Sequence, residues 1–245
     1  MSRAAISLAS VSKAFDGRPV LEDVSFDVQQ GEAFCLLGRS GTGKSVTLKL
    51  IIGLITQDSG TIRIGDAEVQ NLERQELMDV RKGVGFLFQN AALFDSVSLA
   101  DNLAFVLRRH TAKSKDEIAE IVKEKLAEVR LEDDGNMMPA DLSGGMRKRA
   151  GLARALVLDP PIVLVDEPSS GLDRITAGEI YDLLSKLKGR KKTLVIVTHD
   201  VLGVGKLADR LCVLDHGHAV ACGTPEELKK DSNELVRSLI GGGVL

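Results

Sequence analysis

A chain of 245 residues, 44% apolar and 27% charged, can bury one large core, or a core with a subdomain, and has the make-up of an ordinary globular protein. A net charge of −3, no Trp and one Tyr argue against a general nucleic-acid binder, which needs a basic surface or stacking aromatics. No apolar run is long enough to span a bilayer and MSRAAISLASVSKAF lacks a signal-peptide core, so any work at a membrane is expected to pass through a partner.

Residues 1–37 read as strands and turns in AISLASVSKAF, VLEDVSFDV and EAFCLLG. Residues 45–55, SVTLKLIIGLI, place Leu48, Ile51, Ile52 and Ile55 on one helical face. A short hairpin is predicted around GTIRIGDAEV, turning at Gly65–Asp66. From about residue 90 to 160 the pattern is helical. In SKDEIAEIVKEKLAEVRL the apolar face is Ile118, Ile121, Val122, Leu126 and Val129, and Ser114 with Glu117 forms a capping box at its start. IVLVDE and TLVIVTHD are nearly continuous apolar runs, as expected of parallel strands buried on both faces. The helix-rich middle is therefore expected to be inserted between two halves of an α/β core. Cys35, Cys212 and Cys222 form no CxxC pair and sit in strand-like surroundings, so buried reduced thiols in a cytosolic setting are expected. DHGHAV, with His216 and His218, reads as a hairpin turn rather than a metal site, since no third ligand is near in sequence.

GRSGTGKS, residues Gly38, Arg39, Ser40, Gly41, Thr42, Gly43, Lys44 and Ser45, fits the phosphate-loop pattern and has a strand before it and a helix, opening at Val46, after it. Glycines let backbone N–H groups turn inward around phosphates, and a helix N-terminus adds positive potential. Lys44 can then reach the β and γ phosphates of a bound nucleotide, and the Ser45 hydroxyl can ligate Mg²⁺. Asp166, ending IVLVDE, is placed to hold that Mg²⁺, and Glu167 beside it to act as general base on the attacking water.

DLSGGMRKRAGLARALVLDPPIVLVDEPSSGLD is the most specific stretch, and it resembles the ATP-binding cassette (ABC) family. Leu142-Ser143-Gly144-Gly145 looks like the family signature, SSGLD ending at Asp173 like its D-loop, and His199 in THD like its switch histidine. Gln89 matches the Q-loop glutamine, and Phe15 the aromatic that stacks on adenine. The resemblance implies a P-loop NTPase fold: a RecA-like core with an antiparallel β subdomain at 1–89 and 161–245, and an inserted helical signature subdomain at 90–160. It implies a homodimer in which two ATP molecules are sandwiched head to tail, each on one copy's phosphate loop and facing Ser143, Gly144 and Gly145 of the other. Glu167 and His199 would orient water and phosphate, and Gln89 would sense Mg²⁺ and the γ-phosphate.

Met146 follows the signature where many members carry Gln, Val46 follows GKS where Thr is frequent, and Arg174 follows the D-loop aspartate where Pro is usual. GTGKSVTLKLIIGL, FLFQNAALFDSVSLADNLAF and LSGGMRKRAGLARAL together resemble the ATPases of Mce/Mla-type lipid transporters of the bacterial envelope. That likeness implies a peripheral ATPase on the cytoplasmic face of the inner membrane. It would be bound to an integral membrane permease, with an Mce-domain lipid-binding protein and a STAS-domain protein as further partners. Phe86 to Phe88 would form a buried strand delivering Gln89. Ala91 to Phe94 would lie exposed beyond it, with Leu93 and Phe94 meeting the permease. An ATPase of a small-solute importer shares every catalytic motif and would differ at ALFDS, at Met146 and in its periplasmic partner. A non-transport ABC ATPase is disfavoured: the Ser45 to Leu142 interval leaves no room for a long coiled coil, and the chain carries one cassette.

Overall fold

In the computed structural model, which describes residues 4–241, two sheets and nine α-helices follow one another as β1 (Ala4–Phe15), β2 (Arg18–Gln29), β3 (Ala33–Leu37), α1 (Lys44–Ile51), β4 (Ser59–Ile64), β5 (Ala67–Glu68), α2 (Arg74–Lys82), β6 (Val84–Leu87), α3 (Leu99–His110), α4 (Lys115–Glu128), α5 (Gly144–Leu156), β7 (Ile162–Asp166), α6 (Arg174–Gly189), β8 (Thr193–Thr198), α7 (Val201–Val204), β9 (Arg210–Asp215), β10 (His218–Gly223), α8 (Pro225–Leu228) and α9 (Glu234–Gly241). Among the described residues no helix is long and apolar enough to cross a membrane. The described chain ends in α9, and Gly242 to Leu245 lie outside the described residues.

The larger sheet has the order β10-β9-β3-β8-β7-β6. Strands β9, β3, β8, β7 and β6 run parallel, and β10 closes the edge antiparallel to β9. The smaller sheet, β2-β1-β4-β5, is antiparallel throughout. Strand β3 shows why its sequence is apolar at every position. Ala33, Cys35 and Leu37 face a core shared with the helices α3 to α6, while Phe34 and Leu36 face a second core against α1 and the smaller sheet. Strand β8 divides in the same way, Leu194 and Ile196 to the first core and Val195 and Val197 to the second. A period of two with both faces covered leaves no polar position. Each fully buried Leu or Val here contributes on the order of 1.5–3 kcal/mol of transfer free energy. The functional loops leave this sheet at the C-terminal ends of β3, β7 and β8.

The hairpin turns at Gly65–Asp66 as expected, between β4 and β5. Ser114 and Glu117 form the reciprocal capping box of α4, whose Ile118, Val122 and Leu126 are buried. Several elements differ from expectation. Helix α1 ends at Ile51, short of Ile55, because the chain turns off through Gly53 N to Leu50 O at 2.9 Å and Leu54 N to Lys49 O at 2.8 Å. Helix α2 carries no fully buried residue; its short apolar face, Leu77, Met78 and Val80, is half-buried, with Leu77 packed on the second core. Residues 90–98 are turns, so the helical stretch opens at Leu99, capped by Ser98. Strand β6 stops at Leu87, leaving Phe88 half-buried beyond it.

The cysteine expectation needs correction. Cys35 is a buried thiol, and burial pushes its pKa far above the ordinary range. Cys212 and Cys222, however, lie directly opposite each other on β9 and β10 and are joined as a disulfide, with Cys212 buried and Cys222 exposed. Ten residues separate them in sequence, and only the hairpin at His216–Gly217 brings them into register.

Candidate functional site

Strand β3 is buried along its whole length and delivers the phosphate loop, Gly38 to Gly43, to the N-terminus of α1. Gly43 caps that helix at φ 98°, where a Cβ would lie 2.6 Å from Leu21 Cδ2 and 2.9 Å from Val20 O, so only glycine fits. Lys44 is buried, and its Nζ donates to Gly38 O and to Arg39 O, both at 2.9 Å. The ammonium is thus held within the loop. Arg39, Ser40 and Gly41 are exposed, and Thr42 Oγ1 donates to Arg39 O at 3.0 Å. Val46 is half-buried and packs on the core beneath. A cleft of about 510 Å³ opens beside the loop, between Val20, Arg39 to Thr42 and His216.

At the floor of the loop, Ser45 Oγ donates to Asp166 Oδ1 at 2.7 Å. Burial pushes the Asp166 carboxyl above the usual carboxylate range; the Ser45 hydrogen bond opposes this and the neighbouring Glu167 charge adds to it. Hydroxyl and carboxylate oxygens facing each other at the base of a phosphate-binding loop are the hard donor set that suits Mg²⁺. The residues present therefore fit that ion.

Glu167 follows β7 at φ 47°, the left-handed region, where a residue with a Cβ is strained and must be held by its surroundings. Its N–H donates to Val197 O at 2.9 Å, and its carbonyl accepts from Lys148 Nζ at 2.7 Å and Ser170 N at 3.2 Å. Its Oε2 accepts from Thr198 Oγ1 at 3.3 Å and lies 2.9 Å from His199 Nδ1, and Oε1 is 3.6 Å from Lys44 Nζ. The structure thus brings Lys44, Ser45, Asp166, Glu167 and His199 together.

Other predicted site residues stand apart from this group. Gln89 is exposed on the turn after β6, and its Nε2 reaches Ser170 Oγ at 3.4 Å rather than Ser45 or Asp166. Ser143 caps α5, its Oγ accepting from Met146 N at 3.2 Å, and makes no hydrogen bond to the phosphate loop of its own chain. A Cβ on Gly145 would collide with Thr176 Cγ2, so the signature packs directly on α6. Gly144 lies beside Leu172. Asp173 is the N-cap of α6: Oδ1 accepts from Ile175 N at 2.9 Å and Thr176 N at 3.0 Å, and Oδ2 accepts from Thr176 Oγ1 at 2.6 Å. The Thr176 hydroxyl leads the interactions that hold its carboxyl below the usual range. Phe15, at the end of β1, is 42% exposed, with Lys13 Nζ 5.3 Å from its ring centroid.

The ALF segment is not uniformly exposed. Ala91 is buried, with its carbonyl accepting from Arg154 Nη2 at 2.9 Å, and Leu93 is half-buried against the core. Phe94 is 46% exposed and packs edge-on against Phe105, ring centroids 5.2 Å apart, with the Arg154 guanidinium 5.9 Å from its centroid. Arg154 also lines a groove of about 280 Å³ with Met78, Phe86, Phe88 and Val106. Sequence reasoning missed Lys148, Thr198, Asn102 and Arg154. Thr198 precedes a named histidine; Lys148 and Arg154 are polar residues on a helix face whose partners are distant in sequence, and Asn102 bonds the irregular turn at Phe94 to Ser98 just before its own helix.

The ABC transporter family profile matches residues 21–170. The chain is 44% identical over 239 residues to "Probable ribonucleotide transport ATP-binding protein mkl" of Mycobacterium leprae, covering 97% of this chain and 69% of that one. It is 37% identical over 226 residues to the intermembrane phospholipid transport system ATP-binding protein MlaF of Haemophilus influenzae, covering 92% and 86%. Among solved structures, a dimeric ATP-binding cassette in a post-hydrolysis state with ADP and Pi superimposes with a TM-score of 0.84 at 31% identity, covering 89% of this chain and 98% of that one.

Proposed function

This chain belongs to the ABC transporter family, and from that premise we propose that it is the ATP-hydrolysing subunit of a transporter moving phospholipid or a related lipid across the bacterial envelope. The observation that carries the ATPase reading is the cluster at the ends of β3, β7 and β8, where Lys44, Ser45, Asp166, Glu167 and His199 converge on one phosphate-binding loop. The backbone amides of Gly38 to Ser45 bind the phosphates of ATP, with Lys44 neutralising charge on the β and γ groups and Phe15 stacking on adenine. Ser45 and Asp166 would hold Mg²⁺, which supplies charge stabilisation on the phosphate oxygens. Glu167 accepts the proton of the attacking water, and His199, hydrogen-bonded to Oε2, fixes the carboxylate toward the γ-phosphate. Gln89, whose Nε2 reaches Ser170 Oγ at 3.4 Å, would sense Mg²⁺ and the γ-phosphate.

Two copies pair head to tail. Supporting this, Ser143 makes no hydrogen bond to its own chain's phosphate loop, and the superimposable cassette is a dimer. Ser143, Gly144 and Gly145 contact the γ-phosphate in trans, at the N-terminus of α5. Phe94, with Leu93 behind it and the groove of Phe86, Phe88 and Val106 beside it, receives a cytoplasmic segment of the permease. An Mce-domain protein and a STAS-domain protein complete the assembly, which sits on the cytoplasmic face of the inner membrane.

The lipid reading rests on the relative named for phospholipid transport and on the three stretches surrounding Gly43, Phe94 and Met146. The mycobacterial relative is named for ribonucleotide transport instead, so the cargo is the point to test. Affinity purification from detergent-solubilised membranes, with co-purified proteins and bound small molecules identified by mass spectrometry, is expected to recover a permease, an Mce-domain protein and phospholipid. Recovery of a solute-binding protein or bound nucleotide cargo, with no Mce-domain partner, would overturn the lipid reading.

A further inference from the structure

Lys148 lies on α5 one helical turn beyond Gly144 and is only 5% exposed. A buried ammonium needs a partner. Here the partner is not a carboxylate but the backbone carbonyl of Glu167, at 2.7 Å, although the Asp166 and Glu167 charges are close enough to act on it. That choice leaves the Glu167 side chain to Thr198 and His199 and fixes the peptide that orients it. The peptide needs fixing, because Glu167 stands at a positive φ that persists only where its surroundings hold it. Losing the Lys148 bond would leave Ser170 N, at 3.2 Å, to hold that carbonyl alone.

The helix that carries Lys148 begins at the signature. We propose that Lys148 is a positioning residue that ties the signature of each copy to the catalytic carboxylate of the same copy. ATP bound on the partner's loop and docked on Ser143 to Gly145 thereby sets the geometry of Glu167 in the other site. The inference rests on the head-to-tail pairing above. It adds a mechanical link between the two ATP sites that runs through one rigid helix, and it makes hydrolysis cooperative in ATP.

The test compares the 245-residue chain as wild type, Lys148→Met and Lys148→Gln. Met keeps the length and apolar packing of the lysine stem but has no donor; Gln keeps a neutral donor one atom shorter. Steady-state hydrolysis is followed over a range of ATP concentrations, ATP affinity by calorimetry and folding by thermal melting. Lys148→Met is expected to lower kcat by about tenfold to a hundredfold, the scale of a misplaced reacting group, with unchanged ATP affinity and a Hill coefficient reduced toward one. Lys148→Gln is expected to recover part of both. An unchanged kcat in the Met variant, a loss that merely follows a lowered Tm, or a Gln variant no better than Met would overturn the inference and leave the ATPase reading standing. A wild-type chain that binds and hydrolyses no ATP would overturn that reading and the inference with it.

Discussion

Asn102 and Phe94 hold each other through both polar ends of the amide. Asn102 Oδ1 accepts from Phe94 N at 2.8 Å, and Nδ2 donates back to Phe94 O at 3.1 Å. The carbonyls of Val97 and Ser98 crowd the same Nδ2, at 3.2 and 3.0 Å. Asn102 is wholly buried on the inner face of α3, so this one side chain does for residues 94–98 what water or a strand neighbour would do elsewhere. With the backbone of Phe94 secured from inside, its ring is turned outward onto Phe105.

Asn102→Ala is therefore expected to destabilise the chain by about 1–3 kcal/mol, since it leaves the part-buried Phe94 N–H and Val97 carbonyl without their partner rather than removing a simple contact. Urea denaturation of the purified chain measures it. Asn102→Asp is expected to cost more, because a carboxylate would face the three carbonyls that Nδ2 now satisfies. A loss below about 0.5 kcal/mol in the alanine variant, the range of an ordinary surface change, would mean that the loop does not depend on this amide.

Phe94→Asp leaves the backbone bonds to Asn102 in place and changes only what the exposed face presents. Its ring touches Phe105 and Arg154 and does not approach the phosphate loop. Assembly with the permease, scored by co-purification from membranes, is expected to fall sharply, while ATP affinity and Tm stay close to wild type. Loss of ATP binding with assembly intact would contradict the role given to this face.

The phosphate-loop cluster was legible because its pattern is written in contiguous words. GRSGTGKS must be a loop between a strand and a helix, and IVLVDE must end at its acids where the buried strand ends. The antiparallel β1 and β2 and the capping box of α4 were legible for the same reason, being set by neighbours in sequence. What was hidden depends on partners far along the chain. Lys148 finds Glu167 nineteen residues away, and Arg154 finds Ala92 sixty-two away. On a helix such residues look like any solvated charge until the packing is known. Helix α2 was hidden differently: at nine residues its apolar face is only Leu77, Met78 and Val80, too short a run to show a period, and its Glu73–Glu76 box marks its start.

The cross-strand disulfide gives a direct chemical prediction. In denaturant without reductant, thiol titration is expected to find Cys35 alone, and after reduction Cys212 and Cys222 as well. Closing a loop with a sequence separation of 10 by a covalent link contributes about 2–3 kcal/mol on the chain-entropy account. Reduction of the folded chain is thus expected to lower its Tm, and Cys212→Ser to lower it without further response to reductant. Three titrating thiols in the unreduced denatured chain would show that the pair is not joined in solution.

Glu167→Gln separates what Glu167 does by shape from what it does by charge. The amide keeps the size of the side chain and an oxygen that can accept from Thr198 Oγ1, and its backbone bonds to Val197 and Lys148 do not involve the side chain at all. The loop, Lys44 and Ser45 are therefore expected to stay as they are, and ATP to bind with near wild-type affinity. The variant loses the group that accepts a proton from water. General-base catalysis of this kind contributes about 10²–10⁴-fold, so turnover is expected to fall by at least about a hundredfold. Removing the Glu167 charge also removes one of the causes that raise the Asp166 pKa. Single-turnover hydrolysis alongside calorimetric ATP binding checks both halves. Undiminished hydrolysis would remove Glu167 from the chemistry, and loss of ATP binding would mean that the charge holds the loop together instead.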